Sequence, residues 1–253
     1  MEITVCTVSF NSAIEVQNNV NLGRRLNPGC RVRWIVADNS PEDSPECLHG
    51  EIDDVDVIPG AGPGYTPHYH HTAARAKTIA LSRTRFVLVL DPDFFIIRQN
   101  WASDMVAHMQ ARGLAILGVP WHPQRTYKYR YFPVVHCALF DTSKFPKEEI
   151  DFRPDYPNGS DDPAWPGGYQ EEGACFTVNP LTQLLTKLPS MKSRRTFYID
   201  TGGRLYKKYV KDRTKRFELI DPVGIPSRGL NEEDAPARAF AARRALLCSQ
   251  ALP

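Results

Sequence analysis

The sequence predicts an α/β protein with a mainly parallel central sheet flanked by helices, and three observations carry the prediction. Short apolar runs such as ITVCTVSF (Ile3 to Phe10) and FVLVL (Phe86 to Leu90) show little apolar/polar alternation, which marks strands covered on both faces. Stretches with helical spacing separate these runs, the order that builds strand–helix–strand units. The runs also end in short polar clusters, TVSFN, ADNS and DPD, and open parallel sheets collect ligands at the carboxyl ends of their strands.

In order, ITVCTVSF reads as the first strand and SAIEVQNNVNLGRRL as a helix ended by Asn27-Pro28-Gly29. VRWIVADNS (Val32 to Ser40) reads as a second strand stopping in the polar turn PEDSPE, and VDVIPG (Val55 to Gly60) as a third. From His68 to Ser82 the spacing is helical, with Ala74, Ile79 and Leu81 as candidates for the inward face. FVLVL is the fourth strand, WASDMVAHMQARG a helix closed by Gly113, and LAILGVP a fifth strand. After Pro120 the chain becomes loop-rich. WHPQRTYKYRYFP is basic and aromatic, VVHCALFD reads as a further strand, and RPDYPNGSDDPAWPGGYQEEG is an acidic Pro/Gly-rich stretch, either an ordered loop over a site or a lid. LTQLLTKL and RLYKKYVKD read as helices, TFYID and RFELI as short strands, and APARAFAARRALL as an amphipathic basic helix. The expected organisation is one domain over 1–230, divided into a ligand-binding half (1–110) and a loop-rich half (111–230), with a helical tail at 231–253.

At 253 residues the chain can bury a core that needs no staples, and a net charge of +2 argues against a nonspecific coat on nucleic acid. The six cysteines show no C-x-x-C pair and no zinc spacing; Cys6 and Cys137 sit inside apolar runs as core residues. The start MEITVCTVSFN lacks a basic region and a signal-length apolar stretch, and no window approaches the ~20 apolar residues of a membrane-spanning helix. The expected location is cytoplasmic, with the tail arginines Arg238, Arg243 and Arg244 suited either to the inner membrane face or to packing on protein.

Asp91 and Asp93 follow the most apolar strand, with Pro92 between them making helical continuation unfavourable. Two carboxylates facing one pocket repel and push one pKa upward unless a cation lies between them. A hard divalent ion such as Mn²⁺ or Mg²⁺ takes one or two carboxylates plus substrate phosphate oxygens. The alternative is a β-turn carrying two solvated acids. At the neighbouring strand ends, Thr7, Ser9 and Asn11 offer short polar groups, and Asp38 with Asn39 offers an acceptor for the N–H of a nucleobase. Equally, Asn11 or Ser12 caps the following helix, and Asp38-Asn39-Ser40 forms a turn closed by its own side chain.

Taken together, V-x-T-V-S-F-N, W-I-V-A-D-N-S-P-E-D, a Gly-rich turn before a helix, and F-V-L-V-L-D-P-D resemble the nucleotide-binding half of the GT-A glycosyltransferases, family-2 type, over about residues 1–110. The resemblance implies a Rossmann-like GT-A fold and a nucleotide-sugar donor, UDP-sugar favoured, with its diphosphate on a divalent metal at the acidic pair. It implies that Asp38 meets the base, Asp91 the ribose or metal, and Asp93 the metal; Thr7, Ser9, Asn11, Asn39 and Arg75 are the other candidates for the donor side. His136 stands either as a further metal ligand or as a satisfied core histidine. One departure matters. The family's G-x-x-x-A-x-N is replaced by GAGPGYTPHYHHTAARAK, which leaves His70, His71, Arg75 and Lys77 as candidates to approach the diphosphate.

An inverting transfer needs a carboxylate to take the acceptor hydroxyl's proton. Asp200, directly before the helix RLYKKYVKD, matches the family's arrangement, with Glu171 and Glu172 as alternatives; Asp200 would serve as well as a helix cap. On the acceptor side, Trp121, Arg125, Tyr127 and Arg130 combine aromatic faces for sugar rings with cations for an anionic group. They suit a saccharide, a lipid-linked or another hydroxyl acceptor, and a twisted hairpin of alternating Tyr and Lys/Arg gives the same pattern with no ligand. The expected activity is a metal-dependent, inverting glycosyl transfer. The competing expectations are a nucleotide-binding scaffold without turnover and a sugar-phosphate nucleotidylyltransferase, which would need a basic Gly-rich loop after the first strand that TVSFNSAIEV lacks.

Overall fold

The computed structural model describes residues 1–48, 52–61, 67–119, 132–133, 135–154, 201–209, 216–220 and 245–246. In chain order the elements are β1 (Glu2–Ser9), α1 (Ala13–Leu26), β2 (Arg31–Asp38), β3 (Val55–Pro59), α2 (Pro67–Leu81), β4 (Phe86–Leu90), β5 (Phe95–Ile96), α3 (Trp101–Arg112), β6 (Ile116–Gly118), β7 (Cys137–Asp141), a 3-10 turn (Lys147–Glu149), α4 (Gly203–Tyr209), β8 (Phe217–Leu219) and β9 (Ala245–Leu246). The α/β class and the mainly parallel sheet both hold. Among the described residues seven strands lie in the order β3-β2-β1-β4-β7-β6-β8. β3, β2, β1 and β4 run parallel, β8 is parallel to β6, and β7 runs antiparallel between β4 and β6.

Burial explains the strand pattern. Every residue of β4 is buried, as is every residue of β7, because each has a neighbour along both edges and is covered on both faces. α1 buries Val16, Asn19, Val20 and Gly23, one stripe at helical spacing. Gly23 crosses Trp34 so closely that a Cβ there would stand 3.3 Å from the indole. Asn27 joins two helices: its amide nitrogen donates to the Gly23 carbonyl (2.8 Å) and its amide oxygen accepts from Ala102 N–H (2.9 Å). α3 ends as expected at Gly113, whose φ of +66° is left-handed and favours glycine. Cys6 and Cys137 are fully buried, as expected.

Three expectations change, and one short strand is added to those expected. Leu81 is 53% exposed, not inward, because it is the last residue of α2 and the chain turns away there, with Ser82 N–H bonded to the Ile79 carbonyl. His136 and Val135 lie in a turn, and the strand expected over VVHCALFD begins at Cys137. Phe95–Ile96 forms a short strand within the apolar run after the acidic pair. Ala245–Leu246, expected within a tail helix, pairs instead as a strand parallel to Phe95–Ile96, where a sheet edge satisfies its backbone. The stretches LTQLLTKL and TFYID and the remainder of the tail lie outside the described residues.

Candidate active site

From β1 the chain builds β2 and β3 on one side and places β4 on the other, so the strand order switches at the carboxyl ends of β1 and β4. There Thr7 Oγ1 donates to the Leu90 carbonyl at 2.6 Å. Directly beyond, Asp91 N–H donates to the His136 carbonyl (3.0 Å) and Phe94 N–H to the Asp91 carbonyl (3.0 Å), which turns Asp91-Pro92-Asp93 sharply off the strand. Asn19 of α1 fixes the middle of that turn by donating to the Pro92 carbonyl at 2.6 Å.

Asp91 is only 5% exposed, and both carboxylate oxygens are engaged. Oδ1 accepts from Arg75 Nη2 at 2.6 Å, and Oδ2 accepts from His136 Nδ1. Arg75 is completely buried; its Nη1 donates to the Val135 carbonyl (2.8 Å) and its Nη2 also meets His71 Nε2 (2.6 Å). A guanidinium only donates, so His71 Nε2 is the acceptor and its ring proton sits on Nδ1. The guanidinium carbon lies 5.9 Å from the centre of the Phe152 ring. Arg75, one of the four candidates to approach a diphosphate, is bound to the first aspartate, because α2 presents it toward the sheet. A divalent ion on Asp91 would share its oxygens with a guanidinium and an imidazole and gather positive charge at short range. Asp91 therefore does not fit a metal. Asp93 is half-buried and is a carboxylate of suitable chemistry. Among the described residues no three His, Cys, Asp or Glu side chains converge as a ready-made metal cage.

The second strand end is closed from within. Asp38 Oδ1 accepts from Ser40 N–H (2.9 Å) and Ser40 Oγ (2.6 Å), and Oδ2 from Leu48 N–H (2.7 Å) and Cys47 Sγ (3.4 Å). Burial pushes the Asp38 pKa up, but these hydrogen bonds outweigh it and hold the carboxyl below its usual range. The turn closed by its own side chain is the arrangement adopted here, and the carboxylate holds the 39–48 loop. Asn39 bridges to the next loop, accepting from Ala61 N–H (2.8 Å) and donating to the His70 carbonyl (3.3 Å). Gly60 leaves the room this needs, since a Cβ would stand 1.9 Å from Asn39 Oδ1 and 2.5 Å from the Asp38 carbonyl.

The remaining expected donor residues are also placed. Thr7 and Ser9 are buried within the sheet, and Ser9 Oγ has no hydrogen-bond partner among the described residues. Asn11 is exposed at φ +50°, its N–H bonded to Ser40 Oγ (2.8 Å) and its side chain accepting from Ser44 Oγ (2.8 Å). Ser12 stands at the cap position of α1, yet its hydroxyl bonds the Phe10 carbonyl, so neither residue caps the helix by its side chain. Lys77 Nζ donates to the Gly60 carbonyl at 2.6 Å, and His70 Nε2 meets the Ala61 carbonyl. Asp200, Glu171, Glu172, Trp121, Arg125, Tyr127 and Arg130 lie outside the described residues. The start of α4 is fixed: Gly202 N–H donates to the Phe152 carbonyl (2.6 Å) and Arg204 N–H to the Arg153 carbonyl (3.1 Å), with Gly202 left-handed at φ +92°. Phe152 is the residue whose ring lies by Arg75, so this helix start and Asp91 are joined through two side chains.

Sequence reasoning missed Asn19 and the joint action of Arg75, His71 and His136. A polar residue on the apolar stripe of α1 was the available signal for Asn19. Burial pushes the Cys6 thiol up to about 12, which rules it out as a thiolate nucleophile near neutral pH. A cavity of about 640 Å³ is lined by residues including Thr4, Arg33, Ile35, Asp56, Leu81 and Arg83, none of them an expected site residue. No helix among the described residues is long and apolar enough to cross a membrane.

No family model matches the sequence, and no curated protein matches it. Solved structures similar to this chain include the mannosyltransferase PcManGT from Pyrobaculum calidifontis in complex with GDP-Man and Mn²⁺, at 12% identity over 58% of this chain and 46% of that one, TM-score 0.42. S. aureus TarS in complex with UDP-GlcNAc is similar at 15% identity over 60% of this chain and 48% of that one, TM-score 0.40. Glucosyl-3-phosphoglycerate synthase from Mycobacterium tuberculosis, with Mn²⁺, UDP and glucosyl-3-phosphoglycerate, is similar at 14% identity over 61% and 60% of the two chains, TM-score 0.38. The match spans about half the length of the first two of these structures.

Proposed function

We propose that the chain is a glycosyltransferase that moves a sugar from a nucleotide-sugar donor, a UDP-sugar favoured, to a hydroxyl acceptor with inversion. The observation that carries this reading is the Asp91-Pro92-Asp93 turn at the carboxyl end of β4, directly beside the strand-order switch at β1. The residue pattern resembling the nucleotide-binding half of GT-A enzymes coincides with the four parallel strands that frame that turn. On this reading Asp93 is the carboxylate that would hold Mn²⁺ or Mg²⁺, and the ion would neutralise the departing diphosphate. Asp200 is the favoured base for the acceptor hydroxyl, and the anchoring of Gly202 and Arg204 on the Phe152 and Arg153 carbonyls supports it. Trp121, Arg125, Tyr127 and Arg130 would receive the acceptor, an anionic one fitting their cations best.

A thermal-shift panel of UDP, GDP and dTDP with and without Mn²⁺ tests the reading. Stabilisation that selects one base and requires the metal is the expected result; hydrolysis of individual sugar nucleotides then identifies the sugar. A chain indifferent to all three nucleotides has no donor site, and the reading falls.

A further inference from the structure

We propose that Asp91 is a positioning residue and not a metal ligand: clamped by Arg75, it fixes His136 in its Nδ1–H form. The inference deepens the reading above by dividing the acidic pair into two roles, and its positioning clause rests on geometry alone.

Four hydrogen bonds converge on the clamp. Arg75, on α2, reaches Asp91 Oδ1 at 2.6 Å and the Val135 carbonyl at 2.8 Å, so one buried guanidinium spans the turn after β4 and the turn before β7. The Asp91 backbone N–H binds the His136 carbonyl at 3.0 Å, which brings the same two turns together a second time. The Asp91 carboxylate then accepts from His136 Nδ1. A carboxylate at neutral pH only accepts, so the proton of that bond belongs to the imidazole, and Nε2 is the acceptor nitrogen of the neutral ring. Carboxylates elsewhere orient histidines in this way for metal binding or proton transfer, and the partner carboxylate itself does not touch the reacting group. Charge supports the division. Asp91 already has a permanent cation at 2.6 Å in a site that is almost closed to solvent; Asp93, two residues further on, is the more solvent-accessible of the two. A divalent ion at Asp91 would displace the guanidinium or be repelled by it, and displacement would leave a buried charge without its partner.

Two readouts on the full chain test this. In ¹⁵N-histidine spectra, the His136 ring, assigned by its loss in His136→Gln, is expected in the Nδ1–H form. Asp91→Asn should shift it toward the Nε2–H form that free imidazoles favour. In Mn²⁺ titrations followed by electron paramagnetic resonance in the presence of UDP or GDP, Asp93→Asn should weaken uptake at least tenfold, while Asp91→Asn stays within about threefold of wild type. Equal loss of Mn²⁺ in the two variants overturns the division, and an unchanged His136 spectrum in Asp91→Asn overturns the positioning role. Should Asp91→Asn fail to fold, the double variant Asp91→Asn/Arg75→Gln leaves no uncompensated buried charge and carries the same readouts. A wild-type chain that takes up no Mn²⁺ with any nucleotide removes the proposed function but leaves the His136 spectrum to decide the clamp.

Discussion

Asp38 and Asp91 are each the first acid at the end of a parallel strand, and their surroundings differ in kind. Asp38 is satisfied by its own downstream neighbours, Ser40, Cys47 and Leu48, all within ten residues of it. Asp91 is satisfied by Arg75 on the preceding helix and by His136, 45 residues further on. The first carboxylate shapes one loop with neutral donors. The second joins three segments with charge. Loss of Asp38 should therefore be felt locally, and loss of Asp91 or its partner across the molecule.

The strongest way to break the contrast is Arg75→Leu, which leaves Asp91 buried without its cation. Breaking a buried pair from one side costs about 3–5 kcal/mol, and chemical denaturation should record a loss of that order together with weaker packing of the turn before β7. Gly60→Ala comes next. A Cβ would meet the backbone carbonyl of Asp38 at 2.5 Å as well as the Asn39 side chain, and overpacking of this kind costs about 1–3 kcal/mol. The loss should appear as a lower unfolding midpoint with the slope of the transition unchanged.

Asp38→Ala should cost about 1–3 kcal/mol through donors left unpaired, a smaller loss than Arg75→Leu. Mn²⁺ affinity in the presence of UDP should stay within about twofold. A loss of nucleotide binding as large as that of Asp93→Asn would return Asp38 to a role at the base and erase the comparison.

The smallest effect is in acid. Burial pushes the carboxyls of Asp38 and Asp141 up, and hydrogen bonds overcome this, from Ser40 and Leu48 in the first case and from Arg85 and Ser143 in the second. Both end below their usual range, so each stabilises the fold fully above the unfolded carboxylate pKa of about 4, and that contribution fades as pH falls through the lowered folded value. Urea midpoints measured from pH 6 to pH 3 should fall, and Asp141→Asn should flatten the fall more than a surface acid such as Asp43→Asn.

Asp38 and Asp91 show what was legible beforehand. Strands β1 to β4 could be read because their apolar runs are local signals, and α3 because its stop at Gly113 is local. The Asp38-Asn39-Ser40 turn was also written locally and was weighed beside ligand contact; the structure adopts the turn. The partners of Asp91 were not legible in this way. Nothing in the spacing of Arg75 and His136 relative to Asp91 announces that a helix and a turn before an antiparallel strand will meet at one carboxylate. Arg75 was visible as a candidate for phosphate, but its complete burial depends on how α2 lies against the sheet, which no single-element pattern encodes.

The antiparallel β7 has a consequence for how the molecule comes into being. It closes one edge of β4, so a nascent chain that has emerged only as far as β6 holds FVLVL with an open backbone edge and no Val135 or His136 to meet Arg75 and Asp91. Such an intermediate exposes an apolar ladder suited to pairing between molecules. Synthesis beyond residue 141 is what protects it, and a fragment cut at the end of α3 is expected to aggregate where the longer chain stays dispersed.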